Sequence, residues 1–213
     1  MKKFSQFLSG GVNHPKKDSQ GEDVFIHSPH THTGPDTWTD SKAQATATPH
    51  GHSVPDSLHG VPFRSWSHSG HWNDVEGQGH FSEPPEGRMR SSGVIIREPD
   101  GRHWTISPTN GFGGYKTGIG PKGMVDKGLN ARANAIKETH EETGLKVKLT
   151  GHAFDVPKTT GITRYYYGER TGGHPKDMGW ETQAVHLVSR ETLESHLNHP
   201  IDKMIARKIN GTP

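Results

Sequence analysis

The fold of this chain turns on Gly123-Met124-Val125-Asp126-Lys127-Gly128-Leu129-Asn130-Ala131-Arg132-Ala133-Asn134-Ala135-Ile136-Lys137-Glu138-Thr139-His140-Glu141-Glu142-Thr143-Gly144-Leu145. The pattern predicts a helix over residues 130–143, ended by Gly144, because glycine accepts the left-handed conformation that closes many helices. At about 3.6 residues per turn, Leu129, Ala133, Ile136 and His140 share one side and read as a core-facing stripe. Glu138, Glu141 and Glu142 fall on the opposite side, three and four residues apart, as surface neighbours. Like charges so placed cost roughly 0.2–0.5 kcal/mol per pair, so a helix that merely covers a core would more often interleave a lysine. Three adjacent carboxylates suit Mg²⁺ or Mn²⁺, which take oxygen ligands and leave positions for phosphate and water. By spacing alone they would be a solvated face. The turn Gly120-Pro121-Lys122-Gly123 before the helix and Glu141-Glu142-Thr143-Gly144-Leu145 at its end point instead to a built site.

Outward from the helix, the text is that of a folded domain. Gly93-Val94-Ile95-Ile96-Arg97-Glu98 reads as a buried strand, and Pro99-Asp100-Gly101 has the chemistry of a tight turn. Arg102-His103-Trp104-Thr105-Ile106-Ser107 alternates as a returning strand, and a glycine-rich loop follows over residues 109–128. Beyond the helix, strands are expected over residues 146–155, 162–169 and 182–188. Ser189 can cap a helix over residues 190–197, and another helix is expected over 201–209. Strands on both sides of one central helix predict a single mixed α/β domain over residues 88–213.

The composition divides near Gly87. Residues 1–87 hold 10 of the 17 histidines, with 6 Lys and Arg against 10 Asp and Glu, a net −4; the rest of the chain holds 19 against 13, a net +6. The basic portion suits a small anionic ligand, and no compact Lys/Arg run with interleaved aromatics argues for nucleic acid. Only 28% of the chain is hydrophobic, with 27 Gly and 15 Pro, so part of it has little apolar surface with which to offset its ordering entropy. Residues 1–87 therefore read as a largely irregular extension, loop or disordered, with a short strand at Val24-Phe25-Ile26. Within it, residues 54–66 concentrate Leu58, Val61, Phe63 and Trp66 and are expected to pack on the domain as an arm. The pairs His30/His32 and His50/His52 have zinc-like spacing, but Pro29 and Gly51 break regular strands, and a histidine-biased linker is the plainer reading. The chain has no cysteine, and no apolar run nears the roughly 20 residues that span a bilayer; the expectation is a soluble, cytoplasmic protein.

The stretch Pro121-Lys122-Gly123-Met124-Val125-Asp126-Lys127-Gly128, with Lys137-Glu138-Thr139-His140-Glu141-Glu142-Thr143-Gly144-Leu145, resembles the Nudix box. That box runs Gly, five residues, Glu, seven residues, then Arg-Glu-apolar-x-Glu-Glu-x-Gly-apolar. Gly123, Glu138, Glu141, Glu142, Gly144 and Leu145 match, while Leu129 replaces the first Glu, Lys137 the Arg and Thr139 an apolar residue. Pro108-Thr109-Asn110-Gly111-Phe112-Gly113-Gly114-Tyr115 and Gly179-Trp180-Glu181 look like a bacterial and phage-borne subgroup of the Nudix hydrolase family. The resemblance covers residues 88–200 and implies an α/β/α sandwich around a mixed sheet.

It also implies a metal-dependent pyrophosphohydrolase that cleaves a nucleoside diphosphate linked to another moiety by water attack. ADP-ribose-like substrates are favoured because they are common in the family. Glu138, Glu141 and Glu142 would hold Mg²⁺ or Mn²⁺, and Glu181 stands where such enzymes recruit a further catalytic acid. Lys122 and Arg164 are candidates for holding phosphate, and Tyr115, Phe112 and Tyr165 for stacking a base. Lys137 keeps the charge of the box arginine but loses its planar fork, which opens an alternative: a catalytically weakened module that binds nucleotide as a sensor. A third reading makes the domain a scaffold and the arm a partner-docking element. Nudix domains often form homodimers; the sequence leaves that open.

Overall fold

The computed structural model describes residues 11–68, 70–82, 84, 87–111, 116–159 and 161–211. In chain order the strands and helices are β1 (Val12–Asn13), β2 (Phe25–Ile26), α1 (Asp36–Thr39), β3 (Ala45–Ala47), β4 (Ser57–Leu58), β5 (Val61–Pro62), β6 (Met89–Ile96), β7 (His103–Pro108), β8 (Lys122–Met124), α2 (Ala131–Thr143), β9 (Leu145–Lys158), β10 (Gly161–Gly173), β11 (Thr182–Val188), α3 (Leu193–His196) and α4 (Pro200–Ile209). A four-stranded sheet runs β8-β6-β10-β9 and a three-stranded sheet β3-β11-β7. β10 pairs parallel with β6 and antiparallel with β9, so the larger sheet is mixed. This is the mixed α/β architecture expected from the pattern.

α2 forms where the sequence places it. Asn130 supplies the N-cap, its side chain accepting from the Ala133 N–H over 2.9 Å, and Gly144 ends the helix at φ 69°. The buried face is broader than a single stripe, taking in Ala131, Ala133, Asn134, Ala135, Ile136, Thr139 and Thr143. Leu129 lies outside the helix and is half-buried, because the chain has not yet turned helical before the cap. His140 does not enter the domain core either; its ring packs on Trp66 and Trp72, with centroids 4.7 and 5.7 Å away.

Two cores sandwich the larger sheet. One joins Val94, Ile96, Val147 and Tyr166 to α2 and to Trp104, Val185 and Leu187; the other sets Ile95, Phe154, Val156 and Tyr165 against Leu193, Leu197, Ile205 and Ala206 near the carboxyl end. The first also contains Trp38, Ala45, Ala47, Leu58, Phe63 and Val75 from the amino-terminal portion. Trp38 is fully buried against Trp104 and Phe63, at ring distances of 5.9 and 6.1 Å. Residues 20–52, read from sequence as loop apart from one strand, also contain β3, which pairs with β11 at the sheet edge. A three-residue Ala-Thr-Ala strand has no alternation to detect, and its partner is 140 residues away at Thr46 and His186.

Two buried arginines tie this portion down. Arg102 donates to the carbonyls of Thr37 (3.1 Å) and Trp38 (2.5 Å). Arg170 donates to those of Leu58 (2.9 Å) and Val61 (3.3 Å), and also to Glu98 Oε1 at 2.6 Å. A buried guanidinium needs such partners, since an unpaired buried charge costs several kcal/mol in general. Among the described residues no helix is long and apolar enough to cross a membrane.

Candidate active site

The loop before α2 is shaped by groups from three directions. Asn134, fully buried in the helix, accepts from the Asp126 N–H (3.1 Å) and donates to Ser92 Oγ (3.0 Å), tying loop, helix and sheet together. Val125 N–H donates to the Arg90 carbonyl at 3.0 Å. From the amino-terminal portion, Asn73 donates to the Gly128 carbonyl (2.8 Å) and accepts from the Asn130 N–H (3.0 Å). The glycine-rich loop also holds β8, which the sequence hid because Lys122-Gly123-Met124 is too short to show alternation.

Gly123 is required by the closeness of Glu138: a Cβ there would lie 2.2 Å from the Glu138 carboxylate. Glu138 is only 8% exposed, whereas Glu141 is exposed and Glu142 half-buried. Glu142 Oε2 accepts from the backbone N–H of Lys122 at 2.7 Å. Desolvation pushes the Glu138 carboxyl up to about 7, with the charges of Glu141, Glu181 and Asp126 adding and Lys137 opposing. Burial likewise raises Glu142 to about 8, with Lys122 opposing and Glu138 and Glu181 adding. Four glutamates, 138, 141, 142 and 181, thus act on one another in one electrostatic neighbourhood.

Glu181 is exposed on the loop before β11, and that loop is anchored to the helix end. The Gly179 N–H donates to the Glu141 carbonyl at 2.7 Å, and a Cβ on Gly179 would come within 2.4 Å of that oxygen. On the other side, the Thr109 N–H donates to the Glu181 carbonyl (2.8 Å) and the Thr109 hydroxyl to that of Trp180 (2.6 Å).

Lys137 stands among the carboxylates. Its Nζ lies 2.5 Å from Glu141 Oε2, 3.2 Å from Asp126 Oδ2 and 3.7 Å from Glu138 Oε1. Burial lowers its pKa, but the hydrogen bond and charge of Glu141, the charge of Glu138 and the hydrogen bond to Asp126 outweigh it, and the ammonium is raised above its usual range.

Of the other residues singled out from sequence, Lys122 borders Glu142 as described. Arg164 is turned elsewhere: Nε and Nη2 engage Asp155 at 2.7 and 2.8 Å, and Nη1 donates to the Ser82 carbonyl at 2.6 Å. That forked pairing, with the Asp155 carboxyl held below its usual range chiefly by the Arg164 hydrogen bond, makes Arg164 a tie between β9, β10 and residue 82. Tyr165 is 2% exposed and packs on Phe154, so it is a core residue. Phe112 and Tyr115 lie outside the described residues. Asn73, Asn134 and Asp126 went unremarked in the sequence; an asparagine inside a predicted helix interior was the available signal for Asn134.

The residues present fit a hard divalent cation in their chemistry. They offer carboxylate oxygens, two of them from groups whose pKa values are raised first by burial and then by neighbouring carboxylates, and Gly123 leaves Glu138 a place that any Cβ would fill. Among the described residues no three His, Cys, Asp or Glu side chains already converge at ion-holding distance.

The NUDIX domain family model matches residues 87–208. Solved structures with a similar fold include a nudix hydrolase family member from Chromobacterium violaceum (23% identity, TM-score 0.45, covering 59% of this chain and 79% of that one). Others are an Ap4A hydrolase from C. elegans (18%, 0.46, 58% and 96%) and an ADP-ribose pyrophosphatase from Streptococcus suis (17%, 0.45, 56% and 89%). No curated protein matches the chain. With more than half of its length under the family model and the glutamate helix at the centre of the match, the chain belongs to the NUDIX domain family and is a hydrolase acting on phosphorus-containing acid anhydrides.

Proposed function

We propose that the chain is a metal-dependent pyrophosphohydrolase that cleaves a nucleoside diphosphate linked to another moiety by water attack. The observation that carries this is the neighbourhood of Glu138, Glu141, Glu142 and Glu181, with two of the four carboxyls raised in pKa by burial and by one another. Glu138, Glu141 and Glu142 would hold Mg²⁺ or Mn²⁺, which would supply charge to offset that of phosphate and lower the pKa of a water. Glu181 is the candidate base, held beside the helix by Gly179 and Thr109. Lys122, whose main chain steadies Glu142, offers its ammonium to substrate phosphate. ADP-ribose-like compounds belong to this substrate class, as does any nucleoside diphosphate bearing a further group. The domain over residues 88–213 carries the chemistry, and Trp38, Leu58 and Asn73 from the preceding portion brace it, the first two through the buried arginines.

The experiment is release of nucleoside monophosphate, followed by chromatography, from ADP-ribose, NADH, dinucleoside polyphosphates and dNTPs with Mg²⁺ or Mn²⁺. Turnover of at least one member, lost in Glu142→Gln, is expected. A second reading, a weakened nucleotide sensor, draws on Lys137, whose ion pairs occupy Glu141 and Glu138, and on Leu129 in place of the first glutamate of the box. Tight binding of one member without turnover of any would support that reading instead.

A further inference from the structure

One short segment of the amino-terminal portion holds the glutamate helix at both ends. Trp72 and Asn73 are neighbours in sequence, yet the Trp72 ring lies 5.7 Å from that of His140 in the last turn of α2, while the Asn73 amide meets the cap residue Asn130 at its start. From residue 130 to residue 140 a helix rises about 15 Å, so the segment runs along α2 and does not touch it at one point only. Trp66 adds a second ring 4.7 Å from His140, and its carbonyl accepts from His140 Nε2 at 3.3 Å. The segment is itself stiffened from within. Gln78 Nε2 reaches back to the carbonyls of Trp72, Asn73 and Val75 at 3.4, 2.5 and 3.3 Å, and Val75 is buried in the core.

Asn73 uses both atoms of its amide on a single junction. Nδ2 donates to the Gly128 carbonyl at 2.8 Å, and Oδ1 accepts from the Asn130 N–H at 3.0 Å and from Asn130 Nδ2 at 3.1 Å. The last bond sets which way the Asn130 amide faces. With its Nδ2 on Asn73, its Oδ1 is left for the Ala133 N–H, the bond that caps α2. Between Gly128 and Asn130 stands Leu129, where the Nudix box has its first glutamate, and a leucine side chain can make no hydrogen bond. Asn73 binds the main chain on either side of it.

The same junction closes the turn that bears Asp126, since the Leu129 N–H donates to the Asp126 carbonyl at 3.0 Å. The Asp126 carboxylate lies 3.2 Å from Lys137 Nζ, and that ammonium also reaches Glu141 and Glu138. A junction free to shift would take Asp126 with it and change how Lys137 divides itself among the carboxylates. We propose that Asn73 is a positioning residue for the glutamate site: through the Gly128–Asn130 junction it fixes α2 and Asp126 in the arrangement that binds a divalent cation. Metal affinity then depends on a residue outside the stretch that matches the family model, and the amino-terminal portion is a working part of the site. This rests on the hydrolase reading for the identity of the ligand, and Asn73 itself touches neither metal nor substrate.

The test is calorimetric titration of the full chain with Mn²⁺ alone, beside thermal melting without metal. Asn73→Ala is expected to weaken Mn²⁺ binding about tenfold, the scale usual for a residue that orients metal ligands without being one. Asn73 is exposed, so the variant is expected to stay folded. The control is Thr46→Val, which removes the hydroxyl that bonds His186 at 2.9 Å in the same amino-terminal portion. It should lower the metal-free Tm at least as much and leave Mn²⁺ binding unchanged. Equal Mn²⁺ affinity in Asn73→Ala and the parent overturns the inference, and so does an equal loss in Thr46→Val, which would make the effect one of general stability. If the parent binds no Mn²⁺, the hydrolase reading falls as well. If Glu142→Gln loses Mn²⁺ and Asn73→Ala retains it, the role of Asn73 alone falls.

Discussion

The backbone N–H of Gly179 donates to the carbonyl of Glu141 over 2.7 Å, so the loop bearing Glu181 is fastened to the last turn of the glutamate helix. A Cβ at residue 179 would sit 2.4 Å from that same oxygen, which is backbone and cannot swing aside. Gly179→Ala is expected to cost about 1–3 kcal/mol of stability, as overpacking does. It should also lower turnover by displacing Glu181. Thermal melts and steady-state kinetics check this; an unchanged kcat in the folded variant would separate Glu181 from the chemistry.

Gly123→Ala behaves differently. The atoms that its Cβ would meet are the carboxylate end of Glu138, a side chain that can rotate away. Stability should change by less than about 1 kcal/mol, while Mg²⁺-dependent turnover falls by at least about tenfold, roughly the effect of mispositioning one catalytic group. A large drop in Tm with kcat preserved would contradict the placement of Glu138.

Lys137→Arg restores the planar fork without losing charge. With Glu141, Asp126 and Glu138 all within 4 Å of the Lys137 ammonium, the fork can hold two carboxylates at once. The variant is expected to match or exceed the parent in kcat, and Lys137→Met to fall below it. If Lys137→Met were the more active, the lysine would be an obstruction and not a support.

The amino-terminal portion is expected to resist limited proteolysis around Phe63, which is 7% exposed and lies under Arg170 at 4.3 Å. Trp38→Ala should destabilise the whole chain by about 3–5 kcal/mol, the usual cost of emptying a buried aromatic site. Rapid cleavage there with the domain's melting unchanged would show the arm to be dispensable.

Stability should pass through a maximum with pH. Burial, the largest cause in each case, lowers His103, His174 and His196 to about 4 and His186 well below its usual value. Between those values and about 6.5 the unfolded chain binds more protons, so stability falls as pH falls through that window. Glu138 and Glu142 are raised to about 7 and about 8, so there the folded state binds more protons and stability falls as pH rises from about 4.5 towards those values. Four histidines outweigh two glutamates on the acid side, and the metal-free optimum is expected near roughly pH 6.5–7. Mg²⁺ should lift the alkaline limb alone. Tm measured from pH 5 to 9 with and without Mg²⁺ decides, and a flat profile would contradict the burial of these groups.

Most of the domain was legible because its signals are local. The Gly144 stop and the long apolar strands announce themselves within a few residues. What stayed hidden depends on distance. Ala45–Ala47 carries no pattern of its own and becomes a strand only by pairing with β11. Trp38 lies in a stretch read as loop, and its burial depends on Trp104 and on Arg102, both more than 60 residues away. At the site, the glutamates were readable from spacing and context, but Arg164 was not: its bond to Asp155 follows from strand register.

The most direct test is Mg²⁺-dependent release of nucleoside monophosphate by Glu142→Gln beside the parent chain, with both shown to be folded. The parent should turn over at least one nucleotide-type substrate, and the variant should lose that activity while keeping its melting transition. Retained metal-dependent turnover in Glu142→Gln would contradict the assignment of the glutamate helix as the metal-binding centre.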